Sequence, residues 1–217
     1  LGFWNQLQSV EDLLAPLLFL FGAVFTLLSV RLSLATVLNI RRMPTVERAN
    51  VTDALTGLHN RTYFDSRMRE ELLRAERHSL AVSVMLLDID KFASVNEAYG
   101  HDVGAQVLTE IGRIMSSSVR ESDSLVRYGG EEMALLATHT PPADAMVLAE
   151  RLRREIEVGA RKALRDAQGA RREITVSVGV AGCEAGTKPA SNLFELAGQA
   201  LAKAKREGGN RVASASA

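Results

Sequence analysis

One cysteine, Cys183, stands alone among 217 residues. A single thiol excludes an internal disulfide and any zinc site built on several cysteines. It closes an apolar, strand-like run and reads as a small buried hydrophobe. The four histidines are scattered without helical HxxxH spacing, so they make no zinc motif either. A surplus of charge is also missing: Lys plus Arg and Asp plus Glu both number 26. Without a basic excess the chain has no bias towards nucleic acid. It opens on Leu1 rather than Met, which predicts a piece of a longer protein.

Long apolar runs are absent but for one. Leu13 to Val30 carries no charge and is broken only by Pro16, Gly22, Thr26 and Ser29. As a helix it would be about 27 Å long, against a hydrocarbon thickness of about 30 Å. Arg31, Arg41, Arg42 and Arg48 follow it, while Phe3 and Trp4 precede it. That asymmetry predicts a membrane anchor over 13–30 with its C-terminal side in the cytoplasm. The tail of an upstream sensor domain, or a helix in an apolar dimer interface, fits the same run. Leu34, Val37, Leu38 and Ile40 then form an imperfect stripe, suited to a connecting helix paired with its copy. Residues 1–50 are therefore expected as a hydrophobic helix and linker, and 51–217 as a compact domain.

Within that domain helical periodicity falls over 61–77, 103–118, 142–157 and 192–206. Apolar strands are expected over 80–87 and 174–181, with the polar stretch 159–172 as loop or frayed helix end. The first strand runs into Asp88-Ile89-Asp90, and carboxylates there serve as a cap or a binding site rather than as core. Arg127-Tyr128-Gly129-Gly130-Glu131-Glu132-Met133 joins two short apolar runs through Gly-Gly, predicting a hairpin with a type I′ turn. Adjacent acids at its exit suit a hard divalent cation carrying phosphates. Strands alternating with helices around one hairpin predict an α/β fold, a mixed central sheet flanked by helices.

Several stretches together resemble the GGDEF domain of bacterial diguanylate cyclases. Asp53-Ala54-Leu55-Thr56-Gly57-Leu58-His59-Asn60-Arg61 is similar to the family's opening motif. Asp88-Ile89-Asp90-Lys91-Phe92, Asn96, Gly100-His101 and Gly104 resemble its second block, and the hairpin its signature, with Met133 for the usual Phe. Ser177-Val178-Gly179-Val180 and Ala204-Lys205 match later landmarks. The resemblance covers about Val51 to Val212.

It implies a nucleotidyl-cyclase-like fold and a Mg²⁺-dependent condensation of two GTP into cyclic di-GMP and two pyrophosphates, with Mn²⁺ as a substitute. The enzyme would be a homodimer with one GTP per domain. Asp88, Ile89 and Glu131 are the implied metal set. Gly129, Gly130, Glu131 and Glu132 form the implied catalytic hairpin, with Gly130 leaving room for the nucleotide. Asn96 would bind the guanine edge, Lys205 phosphate, and Phe92 would line the substrate site. Arg120-Glu121-Ser122-Asp123 resembles the family's RxxD site, where cyclic di-GMP inhibits through Arg120 and Asp123; the same string suits an Arg/Asp surface pair.

Departures from the family pattern are Ala93 for a phosphate-contacting Lys, Ala105 for an Asp that contacts guanine, and Gly209 for an Arg. Ala202 stands for a usual Tyr and Glu97 for a usual Asp. They imply weaker GTP binding or looser base selectivity. A module that binds cyclic di-GMP or GTP without turnover is the alternative reading, and a cyclase for another purine nucleotide a third.

Overall fold

The computed structural model describes residues 18–31, 51–168, 173–189 and 191–215, the side chains of 161–168 excepted. Residues 18–31 are helical (α1) and exposed, and the remainder of the expected 13–30 span and of the linker stripe lies outside the described residues. Among the described residues no helix is long and apolar enough to cross a membrane. Two compact units separate, Leu1–Ala49 and Asn50–Ala217.

The second unit runs β1 (His59–Asn60), α2 (Arg61–His78), β2 (Val82–Ile89), α3 (Phe92–Tyr99), α4 (His101–Ser118), β3 (Ser124–Gly129), β4 (Glu132–Thr138), α5 (Pro142–Gln168), β5 (Val176–Cys183), α6 (Leu193–Arg206) and β6 (Val212–Ser214). The sheet order is β1-β3-β4-β2-β5-β6. β1 pairs with β3 and β5 with β6 in parallel, and the central pairs are antiparallel, so the sheet is mixed as expected.

β2 lies between two neighbours and is buried along its whole length. Alternation sends Met85, Leu87 and Ile89 to the face covered by α3, α4 and α5, where Val107, Ile111, Leu152 and Ile156 pack. Val82, Val84 and Leu86 face the other way, towards Phe64 and Met68 of α2 and Ala197 and Leu201 of α6. This two-sided burial is why the segment reads as an unbroken apolar run rather than an alternating one. Asp88, in phase with Leu86, points to the α6 side. The expectation that a strand-end carboxylate cannot be interior is overturned, for Asp88 is 5% exposed.

Two further expectations are refined or corrected for local reasons. Of the loop and helix-end alternatives for 159–172, the helix holds over the described part, since α5 continues through Gly159 to Gln168. A Cβ on Gly159 would collide with Ile114, so glycine there lets α5 approach α4, and buried Ile156 and Ala160 carry the helix past it. The turn is not Gly-Gly with positive φ at both residues. Gly129 ends β3 and pairs with Glu132, leaving Gly130 and Glu131 as the loop, and of these only Gly130 has positive φ, at 40°. A register shift between Arg127 and Gly129 adds one residue to β3 and moves the turn along by one.

Candidate active site

The antiparallel register of β2 and β4 sets Asp88 directly across from Glu132, with Glu131 beside them in the turn. On the same side α6 presents Ala197, Leu201 and Lys205 at helical i, i+4, i+8 spacing. The first two pack on the sheet, and the third passes its apolar surface and meets Asp88 with 2.7 Å between Nζ and Oδ1. Gly179 of β5 permits the approach, since a Cβ there would collide with the α6 backbone at Ala197 and Leu201. Burial pushes the Asp88 carboxyl above its ordinary range; Lys205 pulls it down, while the charges of Glu131 and Glu132 push it up.

Arg127 braces the hairpin. It is 17% exposed, donates Nε and Nη2 to the Gly130 carbonyl at 3.0 and 2.8 Å, and bridges to Asp53 at 3.2 Å through Nη1. Asp53 also accepts from the amide and hydroxyl of Thr56. Burial raises the Asp53 carboxyl, but the Thr56 and Arg127 hydrogen bonds outweigh it and hold the group below its usual range. Asp53 and Arg127 carry no role in the sequence reading, and their place in the motifs is the only signal for them.

Behind the turn a cavity of about 360 Å³ is lined by Phe92, Asn96, Ala105, Leu108 and Glu131 among others. Among the described residues Asn96 Oδ1, buried over Gly104, has no hydrogen-bond partner, and a Cβ on Gly104 would collide with it. A second cavity, about 670 Å³, lies by Lys91, Lys205, Gly208 and Gly209. The N-terminus of α3 borders it without a side-chain cap on Lys91 among the described residues, and a helix N-terminus favours an anion. Asp90, the other acid of the strand end, is spent on structure. It accepts from the hydroxyls of Thr175 and Ser177 at 2.7 Å and from the Asn210 amide at 2.8 Å. A Cβ on Gly209 would lie 3.0 Å from its Oδ1, a local reason for glycine where the family pattern has Arg.

Asp88 is thus brought together with Glu131, Glu132 and Lys205, and Asn96 with Phe92 and Gly130. Ile89 has its side chain in the core, 2% exposed, so only its carbonyl can face a ligand. Among the described residues no three His, Cys, Asp or Glu side chains stand close enough to hold an ion alone. One or two carboxylates are the usual protein share of a Mg²⁺ site whose other donors are phosphate and water, and Asp88 with its acidic neighbours fits that.

Arg120 and Asp123 lie apart, on a cavity of about 260 Å³ that Arg151 also lines. Asp123 accepts from the Arg120 and Thr138 amides, and the two side chains form no salt bridge. Among the described residues the Arg120 guanidinium has no partner, and the contact between the two residues runs through the Arg120 amide.

A family model described as "Diguanylate cyclase, GGDEF domain" matches residues 50–211. Diguanylate cyclase A of Treponema denticola is 34% identical over 164 residues, 74% of this chain and 43% of that protein. Response regulator PleD of Caulobacter vibrioides is 36% identical over 162 residues, 75% of this chain and 35% of its own. The chain therefore spans less than half the length of these relatives. The coiled coil and GGDEF domain of DgcB from Caulobacter crescentus, in complex with c-di-GMP, superposes with a TM-score of 0.72 at 30% identity, over 87% of this chain and 99% of that one. The active GGEEF domain of a diguanylate cyclase from Vibrio cholerae gives 0.62 at 29%, over 72% and 96%. With the hairpin, the strand-end acid and the sheet order on the same side of the argument, the chain belongs to the GGDEF-domain diguanylate cyclase family.

Proposed function

We propose that the Asn50–Ala217 unit condenses two GTP into cyclic di-GMP and two pyrophosphates, as a Mg²⁺-dependent homodimer in the bacterial cytoplasm. The observation that carries this reading is the buried Asp88 opposite Glu132, within the field of Glu131 and paired with Lys205. Asp88, Glu131 and the Ile89 carbonyl would hold the ion. When bound, Mg²⁺ supplies charge neutralisation at the α-phosphate and orients the attacking 3′-oxygen.

The chain's own residues do the rest. Lys205 and the α3 amides hold the triphosphate, and the Gly130 turn, braced by Arg127, fixes Glu131 against it. Asn96, with Phe92 as wall, seats the base. Glu132 takes the proton as the 3′-oxygen bonds to the α-phosphorus of the facing GTP and pyrophosphate leaves. A second such step closes the ring. Each domain carries one GTP, so two domains must face each other across their hairpins. Product binding at Arg120 and Asp123 feeds back on the rate, and residues 1–50 tether the unit to a membrane or a sensor.

The test is an assay of the chain, stripped of bound nucleotide, with GTP and Mg²⁺ and the products resolved by chromatography. Cyclic di-GMP should form, and Asp88→Ala should abolish it. Intact GTP beside undiminished cyclic di-GMP binding would leave a receptor instead.

A further inference from the structure

We infer that Arg153 of α5 is a positioning residue for the phosphate side of the site: it holds Asn210, and through Asn210 the Gly208–Gly209 wall of the cavity beside Lys205. This rests on the proposed reading that the cavity by Lys91 and Lys205 takes the triphosphate.

The guanidinium is fixed by its own helix. Glu150 precedes Arg153 by three residues and Glu157 follows it by four, so both carboxylates reach the same face. Nε and Nη2 donate to the two Glu150 oxygens at 2.9 Å, and Nη1 donates to Glu157 at 3.0 Å. The hydrogen bonds from Arg153 are the main reason that the Glu150 carboxyl is drawn down to about 2. The arginine side chain is only 12% exposed, so it is packed as well as paired. From that fixed position Nη1 also donates to Asn210 Oδ1, 57 residues further along the chain. Two carboxylates already satisfy the charge, so the contact with a neutral amide supplies placement.

Asn210 needs such a hold. Gly208, Gly209 and Asn210 have φ of 113°, 75° and 48°, three residues of positive φ in succession. Glycine takes that backbone freely, whereas asparagine keeps it at a cost and only where its surroundings fix it. Its amide donates to Asp90 Oδ2 at 2.8 Å, and its side chain accepts from Arg153, so it is clamped between the end of β2 and α5. The Gly208 and Gly209 amides close on the Lys205 and Ala204 carbonyls at 3.2 and 3.1 Å. Both glycines line the cavity of about 670 Å³ together with Lys91 and Lys205. With these three amides engaged by α6 and Asp90, the backbone of the loop acts on a phosphate through the shape of the wall. Lys205 keeps its own tie to Asp88, so releasing Asn210 shifts the wall without withdrawing the acids. The effect therefore falls on binding and not on the displacement.

The experiment is steady-state kinetics of the full chain, stripped of nucleotide, with GTP and Mg²⁺, for Arg153→Met, Asn210→Gly and the double variant. Glycine at 210 accepts the positive φ, so that variant removes the side-chain contact without adding strain. Each single variant should raise the KM for GTP about tenfold, the worth of one hydrogen bond, with kcat unchanged. Either substitution breaks the same contact, so the double variant should be no worse than the worse single one. A network that serves only the fold would lower the melting temperature and leave KM alone, and that result overturns the inference. A fall in kcat at constant KM, or additive effects on KM, overturns it too. If Arg153→Met does not fold, Asn210→Gly carries the test by itself, with the same rise in KM expected and an unchanged KM fatal. If the unaltered chain neither binds nor consumes GTP, the cyclase reading has failed and this inference with it.

Discussion

Lys205 reaches Asp88 from the last turn of α6, with 2.7 Å between its Nζ and the carboxylate Oδ1. The lysine is 44% exposed, so it has a solvated route to a phosphate while holding the acid. Removing its charge takes away the main influence that lowers the Asp88 carboxyl, which then rises further. Lys205→Met should therefore move the acid limb of the kcat/KM profile to higher pH and cost about 10²-fold at neutral pH. A pure phosphate contact would cost activity without moving the limb. The pH profiles of both proteins decide between these roles.

Asp88 itself exemplifies a site maintained against stability. Its folded carboxyl lies above the ordinary aspartate range, chiefly through burial. Such a group contributes stability below its unfolded pKa and loses that contribution as pH rises through the folded value. At neutral pH the ionised form is thus a cost. Asp88→Asn should melt no lower than the unaltered chain at pH 7 while losing all measurable condensation. Mg²⁺ with a GTP analogue should raise the melting temperature of the unaltered chain and not of the variant, a readout independent of turnover.

Much of this was legible from the chain because burial writes itself into pattern. The helix from Arg61, the two-sided strand leading to Asp88 and Ile89 and the α6 stripe all follow from periodicity. The edge strands β1 and β6, two and three residues long, are too short to show a period. α3 was hidden because Phe92 and Val95 are its only buried side chains. The one-residue displacement of the turn depends on a register shift that no local residue choice announces. The β2–β4 register that sets Glu132 across from Asp88 is equally invisible in the local sequence. The pairing of Arg127 with Asp53 joins positions 74 residues apart and is visible only in the fold.

That bridge makes its own prediction. Asp53→Ala leaves the guanidinium of Arg127 without its carboxylate and frees it to leave the Gly130 carbonyl. The loss of charge-assisted hydrogen bonds should cost about 1–3 kcal/mol of stability. The turn carrying Glu131 loosens at the same time, so kcat should fall more than KM rises. Denaturant unfolding and steady-state kinetics measured on the same preparation check both parts. A fall in stability with unchanged kcat would mean that the brace serves the fold alone.

A substitution at Gly104 tests the proposed base contact of Asn96 apart from folding. It lies within α4, where alanine is favoured over glycine by about 1 kcal/mol, so Gly104→Ala carries no propensity penalty. The added methyl collides with Asn96 Oδ1 and approaches the Phe92 ring, and the amide, being the flexible partner, must swing away. The KM for GTP should rise about tenfold, the worth of one hydrogen bond, with the melting temperature held or raised. Calorimetric titration with a GTP analogue gives the affinity without turnover. Unaltered binding would mean that Asn96 does not touch the base.

Product control is the remaining test, and Arg151 is the residue that the fold adds to it. Its guanidinium donates to the Ser118 carbonyl at 2.7 Å and lines the same cavity as Arg120 and Asp123. Arg120, whose guanidinium has no partner among the described residues, has the planar fork suited to a phosphate or to stacking on a guanine. Arg120→Ala should remove cyclic di-GMP binding at this cavity and let product accumulate to a higher level from the same GTP. Arg151→Ala should weaken that binding by about tenfold rather than abolish it, since charge-assisted contacts are worth about 1.5–3 kcal/mol and Arg120 would remain. Because neither residue lies on the Asp88 side, initial rates in stripped protein should stay unchanged in both variants. A drop in initial rate would instead tie this cavity directly to catalysis.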